Sequence, residues 1–370
     1  IRSKKCIPCL KELLKDKDPN IILQAIRGLL VFKDHKDINQ SLLKLKNHKN
    51  ELVRNVINIE LYEEKNTVKS KHHLSPDYLK NTVVLGDVSK ILKNVGSDSV
   101  HLTFTSPPYY NARDYSIYNS YEGYISFLES VFKEVYKITK EGRFFILNTS
   151  PIIIPRVGRK YSSTRYPIPY DIHHFLIKMG WEFIDDIIWV KPEPSAKNRI
   201  SGFNQHRQPV TYKPNCVSES VMVYRKKSTK LLDWILKQYS KEIINESKVG
   251  DGFPTSNIWN ISPTFDKSHS AVFPKELCDN VIKLYSFVGD LIFDPFAGSG
   301  TVGVSAIKNN RYFFMTEIQK KYFDDMKSNL KNDLFTDSIP KFLTLKKFNT
   351  SIKSNENFRP RNKTNSKKTS

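Results

Sequence analysis

The sequence predicts a protein of the α/β class, in which a doubly wound sheet follows an all-α segment. Short apolar runs end at acidic or turn residues and give way to runs of helical period, as between 291 and 307. This alternation fills 81–335, which is enough chain for one large domain. Residues 1–66 show the helical period alone, so we expect a separate helical segment there.

The helical segment contains a weak internal repeat. Leu14-Lys15-Asp16 and Leu45-Lys46-Asn47 are similar, and apolar residues follow each of them at matching offsets. This pattern predicts pairs of helices similar to HEAT repeats. Three roles stay open for this segment: holding duplex DNA, binding a protein partner, or packing on the rest of the chain. We favour a role in interaction. We expect 67–80 to be a linker.

A proline-rich segment follows the second predicted strand of the large domain. The strand covers 99–105 and runs into Ser106-Pro107-Pro108-Tyr109. An exocyclic amine on a nucleobase is a poor nucleophile, so an enzyme must hold it with hydrogen-bond acceptors. The Ser106 hydroxyl and the Pro107 carbonyl supply two acceptors, and the Tyr109 ring offers a stacking face for a flipped base. The alternative is a surface turn stiffened by proline.

A glycine-containing turn links a strand to a helix farther along the chain. The strand ends at Asp294, and Gly298 and Gly300 allow close backbone approach before the helix begins at Thr301. Thr301 and the first amides of this helix could bind a carboxylate. The next strand ends at Glu317, where nucleotide-binding sheets hold the two hydroxyls of a ribose. The alternative is a tight turn without a ligand.

Five segments make 80–330 resemble the DNA amino-methyltransferases that use S-adenosylmethionine, in the permuted (beta) class with a Thr-Ser-Pro-Pro-Tyr motif. In chain order, the segments are Gly86-Asp87, the motif 105–109, 269–277, the glycine turn 294–301 and Glu317. The resemblance implies a Rossmann-like methyltransferase sheet with a target-recognition insertion. It implies catalytic roles for Ser106, Pro107, Pro108 and Tyr109, and cofactor contacts by Asp87, Thr105, Phe273, Asp294, Phe296, Gly298, Gly300, Thr301 and Glu317. Adjacent strands must bring the two distant motifs together.

The candidate target-recognition region is 191–268. Two groups of side chains in it combine cations with amides and can read base edges: Lys197, Asn198, Arg199, Gln205 and Arg207. The alternative is a basic surface that contacts phosphates only, which fits Arg225-Lys226-Lys227 better. Trp189 and Lys191 end the preceding strand, where they border the base pocket or lie in the core.

A tyrosine-rich segment follows the catalytic motif. It contains Tyr110, Tyr115, Tyr118 and Tyr121, together with Arg113, a candidate DNA contact. Such a segment could form a flap that stacks on an unpaired base. Alternatively, its tyrosines pack against the helix that follows.

The charge of the chain indicates a polyanionic partner. The formal net charge is +21, which favours nucleic acid over a neutral metabolite. Residues 341–370 hold nine Lys or Arg and one Glu, so we expect a disordered basic tail. We recognise neither a leader peptide nor an apolar run that could span a bilayer, and we expect a cytoplasmic protein without a membrane role. Cys6 and Cys9 lack a second Cys-x-x-Cys pair, so we expect no metal site.

These observations predict a site-specific methyltransferase that acts on double-stranded DNA with S-adenosylmethionine as methyl donor. No Pro-Cys segment occurs within 81–335, which argues against methylation of a ring carbon. In the resembling family serine at the position of Ser106 accompanies cytosine more often than adenine, so we expect the cytosine N4 amine, with adenine N6 as the alternative. A restriction-modification system with a cognate endonuclease fits this expectation. A second alternative is a catalytically weak DNA-binding or scaffold protein that relies on the helical repeat.

Overall fold

The computed structural model divides the chain into two compact units, Ile1–Ser70 and Lys71–Ser370. We describe residues 3–61, 72–110, 118–154, 163–193, 216–228, 232–264, 274–332 and 339–353, with the isolated positions 158, 160, 161, 209 and 230. Across these residues, no helix combines the length and the apolarity needed to cross a membrane.

The described part of the first unit consists of helices. After a 3-10 turn at Lys4–Cys6 they are α1 (Ile7–Leu13), α2 (Pro19–Leu30), α3 (Lys36–Leu43) and α4 (Glu51–Leu61). The Asp18 side chain caps α2 by accepting the Asn20 amide, and proline follows at the first helical position. The apolar stripes of α2 and α4 lie in one small core: Ile22, Ala25, Ile26, Val53 and Ile57 are buried. The all-α segment is confirmed, whereas the HEAT-type repeat stays a prediction.

The second unit is built on one nine-stranded sheet. Its strands are β1 (Thr82–Leu85), β2 (Val100–Thr105), β3 (Thr139–Thr149), β6 (Trp181–Val190), β7 (Ser218–Lys226), β8 (Ile258–Asn260), β9 (Leu291–Asp294), β10 (Tyr312–Glu317) and β11 (Lys341–Thr344). Their order is β11-β1-β10-β9-β2-β3-β7-β6-β8. Of these nine strands only β7 runs antiparallel to its neighbours. A separate hairpin joins β4 (Ile152–Ile154) and β5 (Thr164–Tyr166).

Helices cover both faces of this sheet. One core includes α5 (Val88–Leu92), α6 (Tyr121–Ile138), α7 (Ile168–Met179) and α13 (Leu345–Lys353), and the other includes α10 (Lys275–Tyr285), α11 (Thr301–Lys308) and α12 (Lys320–Asn332). The short helices α8 (Leu232–Leu236) and α9 (Lys241–Glu246) precede β8. Successive strand residues divide between the cores, as Val84 and Val83 do. The predicted doubly wound α/β sheet is confirmed.

The structure corrects two boundaries that the sequence predicted. Residues 341–353 do not belong to a disordered tail, because β11 pairs in parallel with β1 and α13 buries Phe348 and Ile352. Their high charge favoured disorder, yet a few apolar residues suffice to join a sheet edge and a core. The predicted linker 67–80 also extends too far. Leu79 is fully buried in a core of the second unit.

The predicted recognition region 191–268 is not a continuous insertion. Its residues 218–226 form β7, which lies inside the sheet between β3 and β6, and 258–260 form β8 at one edge. Val221 and Val223 are fully buried in β7. The cations at the end of this strand indicated a surface, whereas the alternating apolar residues before them are typical of a sheet.

Candidate active site

Four neighbouring parallel strands have their carboxyl ends on the same side of the sheet, and most predicted cofactor residues lie there. We call this side the catalytic edge. β1 ends just before Gly86-Asp87, and β2, β9 and β10 end at Thr105, Asp294 and Glu317. Ligands of open α/β sheets bind at the carboxyl ends of the strands. Because β2 pairs directly with β9, the expectation that adjacent strands join the catalytic and cofactor motifs is confirmed.

Asp294 connects the two motifs. Its buried Oδ1 accepts hydrogen bonds from the Thr105 hydroxyl at 2.7 Å and from the Phe296 amide at 3.0 Å. Burial raises the pKa of Asp294 to about 7, because desolvation disfavours the carboxylate more than these two donors favour it. The bond from Thr105 therefore fixes the end of β2 against the start of the glycine turn.

Glu317 binds the same turn from the next strand. Its Oε2 accepts the Gly298 amide at 2.9 Å, and its Oε1 accepts the Gln319 amide at 2.7 Å. Burial raises the pKa of Glu317, while backbone donors lower it. The Glu317 carbonyl accepts the Gly86 amide at 2.8 Å, which connects β10 to the segment after β1. A nearly buried carboxylate in this position can accept hydrogen bonds from the hydroxyls of a ribose.

The turn before α11 requires glycine. Gly298 and Gly300 have φ of 52° and 83°, in the left-handed region that disfavours other residues. A Cβ on Gly300 would lie 2.7 Å from Met326 Cγ, so a side chain there would force movement. No side chain caps the helix at Gly300, and its N-terminus is suited to an anionic group. The Thr301 hydroxyl lies there, 3.1 Å from that of Ser299.

Asp87 begins the short helix after β1. Its Oδ1 accepts the Ser89 amide at 2.9 Å, and its side chain is 37% exposed. The carboxylate thus has a fixed backbone partner and remains accessible at the edge where Glu317 lies.

The predicted catalytic segment 106–109 follows β2 directly. Ser106 and Tyr109 are half-buried, and a hydrogen bond joins their hydroxyl groups. The Tyr109 hydroxyl also donates to Glu219 Oε2 at 3.3 Å. Burial raises the pKa of Tyr109 well above its ordinary value, and the Glu219 carboxylate raises it further. The phenol is therefore a neutral hydrogen-bond donor at physiological pH.

Glu219, a charged residue that the sequence did not assign to the site, contacts Tyr109, and it pairs with Lys191, which the sequence placed at the base pocket or in the core. Glu219 is at the start of β7, Lys191 follows the end of β6, and their side chains form an ion pair. The Lys191 ammonium lies 4.6 Å from the centroid of the Trp189 ring. The alternating apolar residues of 218–226 could have predicted a strand there. An antiparallel strand starts on the side of the sheet where its neighbours end, so Glu219, near its start, would have been placed at the site.

The described tyrosines near the catalytic motif pack together. The Tyr110 ring lies 5.4 Å from that of Tyr121 and 5.5 Å from that of Tyr124. Tyr121 also donates a hydrogen bond to Asp171 Oδ2 at 2.6 Å. These contacts favour packing over a flap for these rings. Trp189 is likewise a core residue, since its indole is buried and donates to the Ile261 carbonyl at 2.8 Å.

Seven predicted site residues lie outside the described residues and stay predictions: Arg113, Lys197, Asn198, Arg199, Gln205, Arg207 and Phe273. The basic run that ends β7 has structural partners at the opposite edge of the sheet. Arg225 donates to the carbonyls of Gly142 at 3.2 Å and Lys230 at 2.7 Å. Lys226 lies 3.2 Å from the Asp98 carboxylate. These contacts argue against a phosphate-binding role for Arg225 and Lys226.

Residues 100–328 match the family model of the N6/N4 DNA methylases. The chain belongs to this family. The match begins with β2 and extends into α12, so it includes the catalytic motif and the glycine turn. The first, helical unit lies outside the match.

Individual relatives share a limited part of the sequence. M.BslI, a type II beta methyltransferase of Bacillus sp. (strain NEB-606), is 28% identical over 65% of this chain, which corresponds to 26% of M.BslI. M.BamHII, an orphan methyltransferase of Bacillus amyloliquefaciens, is also 28% identical over 65% of this chain and 92% of its own length. The structure is similar to the crystal structure of TTHA0409 from Thermus thermophilus in complex with S-adenosyl-L-methionine. The alignment covers 71% of this chain and 98% of the TTHA0409 chain, with a TM-score of 0.58 and 24% sequence identity. This likeness supports the fold.

Proposed function

We propose that this chain transfers the methyl group of S-adenosylmethionine to the N4 amine of cytosine at a specific site in duplex DNA. The observation that carries the proposal is the 2.7 Å hydrogen bond from Thr105 to Asp294. This bond joins the strand ends from which 106–109 and the glycine turn start, which supports a shared site for the two segments. The family match supports a DNA substrate, and a net charge of +21 supports a polyanionic one.

The residues at this edge fit S-adenosylmethionine. Glu317 offers acceptors for the ribose hydroxyls, and Asp87 lies at the neighbouring strand end, where it would hold the adenine part of the cofactor. The N-terminus of α11, with Thr301, suits the carboxylate of the methionine part. Gly298 lets the backbone approach the ligand closely. When bound, the cofactor supplies an electrophilic methyl group on a sulfonium.

The chain's own residues orient the amine. Ser106 Oγ and the Pro107 carbonyl accept the two N–H groups, which directs the nitrogen lone pair toward the donor. These acceptors interact most strongly with the positive charge that develops on nitrogen, and therefore lower the barrier to transfer. Tyr109 offers its ring face to the flipped base.

Serine at position 106 supports cytosine through the tendency of the family, since a neutral hydroxyl by itself does not separate the two bases. Adenine N6 is the second candidate. Mass spectrometry of nucleosides from DNA incubated with the protein and labelled S-adenosylmethionine decides between them. Methylated deoxycytidine is expected, and methylated deoxyadenosine alone would replace the base assignment. Single-molecule sequencing of the same DNA would give the recognition sequence.

We further infer that the enzyme has the permuted arrangement and serves in a restriction-modification system. The catalytic motif precedes the glycine turn in the sequence, and M.BslI is a type II beta enzyme. DNA methylated by the protein should resist a cognate endonuclease encoded near its gene. We propose an interaction role for the helical unit, which lies outside the family match.

A further inference from the structure

We propose that Glu219 and Lys191 are positioning residues that hold Tyr109 in the orientation a flipped base requires. The inference rests on the proposed function, because that function gives the Tyr109 ring a base to bind. Glu219 belongs to neither the catalytic segment nor the glycine turn.

The Glu219 carboxylate joins two groups at the catalytic edge. Its Oε2 accepts the Tyr109 hydroxyl at 3.3 Å, and its Oε1 pairs with the Lys191 ammonium. The side chains of Lys191 and Glu219 are 19% and 10% exposed. A nearly buried carboxylate is costly unless it is paired, and the Lys191 ammonium supplies that partner.

The strands make this arrangement rigid. Glu219 of β7 lies opposite Trp189 of β6 in the sheet register. The Lys191 amide donates to the Val217 carbonyl at 2.7 Å, and its ammonium lies over the Trp189 ring. Tyr109, in contrast, follows the end of β2 and lies outside any strand. The hydrogen bond to Glu219 thus connects a residue of a turn to the frame of the sheet.

This hydrogen bond restrains rotation of the Tyr109 side chain about χ1, because that rotation would carry the hydroxyl away from Glu219. A ring that stacks on a base must lie in one place, and small losses of alignment slow a transfer reaction. Without Glu219 the side chain keeps its apolar packing and its hydrogen bond to Ser106 but loses the contact that connects it to β7. The cofactor residues make no contact with Glu219 among the hydrogen bonds described, so cofactor affinity should be unaffected.

A double-mutant cycle tests the role. Glu219→Ala should lower kcat about tenfold, the loss expected when a hydrogen bond to a charged group is removed, with the KM for S-adenosylmethionine unchanged. Glu219→Gln keeps an acceptor oxygen and should restore most of the activity. Tyr109→Phe should mimic the alanine variant, and the double variant should be no slower than Tyr109→Phe alone. The control is Glu141→Ala, which breaks the ion pair between Glu141 and Lys230 on the opposite side of the sheet. The Lys230 and Glu141 side chains are 24% and 38% exposed, and this variant should leave kcat unchanged.

A second measurement, by carbon-13 NMR, does not depend on methyl transfer. In protein labelled with carbon-13 at tyrosine Cζ, the Tyr109 resonance is the one lost in Tyr109→Phe. It should shift in Glu219→Ala and not in Glu141→Ala. An unshifted resonance, additive effects in the cycle, or an equal loss of kcat in Glu141→Ala would each overturn the proposal. Absence of methyl transfer by the unaltered protein would instead refute the proposed function, while the resonance would still decide whether Glu219 holds Tyr109.

Discussion

Replacing Asp294 by Asn should make the protein more stable at alkaline pH. Asp294 is buried, and its Oδ1 accepts the Thr105 hydroxyl and the Phe296 amide. An Asn side chain keeps that acceptor oxygen and carries no charge at any pH. The variant therefore retains both hydrogen bonds and removes the cost of a buried carboxylate.

The magnitude follows from the pKa of Asp294. Burial raises this pKa from 3.8 to about 7 in the folded protein. The stability associated with the protonated acid is therefore fully present below pH 3.8 and is lost as the pH rises through 7. Between about pH 6 and about pH 8.5 the folded protein releases about 0.9 proton that the unfolded chain has already lost. Integration gives a decrease of about 1.4 kcal/mol in the free energy of unfolding.

Urea unfolding followed by tryptophan fluorescence measures this difference. All four tryptophans, at 181, 189, 234 and 259, lie in the second unit, so the signal reports on the unit that contains Asp294. Relative to the unaltered protein, Asp294→Asn should gain about 1.4 kcal/mol between about pH 6 and about pH 8.5. Parallel pH profiles for the two proteins would refute the assignment of a proton to the buried acid.

Three further predictions concern the glycine turn and the C-terminal segment. Gly300→Ala should lower the free energy of unfolding by about 1–2 kcal/mol and weaken cofactor binding measured by calorimetry, because φ is left-handed and a Cβ would meet Met326; unchanged affinity would contradict this. Phe348→Ala should cost about 3–5 kcal/mol in the same urea assay, because its ring is fully buried, whereas an exposed site would show almost no loss. Deleting 354–370, which holds five Lys or Arg and one Glu, should flatten the salt dependence of non-specific DNA binding and leave the modified sequence unchanged. A new recognition sequence would show that this segment reads bases.

The parts of the fold with local signals could be predicted from the sequence. The run from Leu291 to Glu317 shows a strand, a glycine turn, a helix and a second strand in order, and the structure has them at these places. The adjacency of Thr105 and Asp294 followed from the need to join two motifs. The first inference used residues that are close together in the sequence. The second used the requirement that the amine bound by one motif meet the methyl donor bound by the other.

The remainder depends on pairing between distant segments. Residues 341–344 join the sheet because Lys341 pairs with Thr82, and local composition carries no trace of that partner. Glu219 reaches the site because β7 inserts antiparallel between β3 and β6. The charges near both segments indicated solvent exposure, and long-range pairing overrode that local tendency.

Methyl transfer by Ser106→Ala is the most direct test of the central claim that 106–109 binds the amine and the glycine turn binds the cofactor. The rate of methyl incorporation into DNA and the affinity for S-adenosylmethionine are measured for the variant and for the unaltered protein. We expect methylated deoxycytidine from the unaltered protein, and in the variant a turnover lower by about a hundredfold with almost unchanged cofactor affinity, because the lost acceptor acts on the charge that develops on the amine. Equal turnover in the two proteins, or a loss that arises entirely from weaker cofactor binding, would contradict the account.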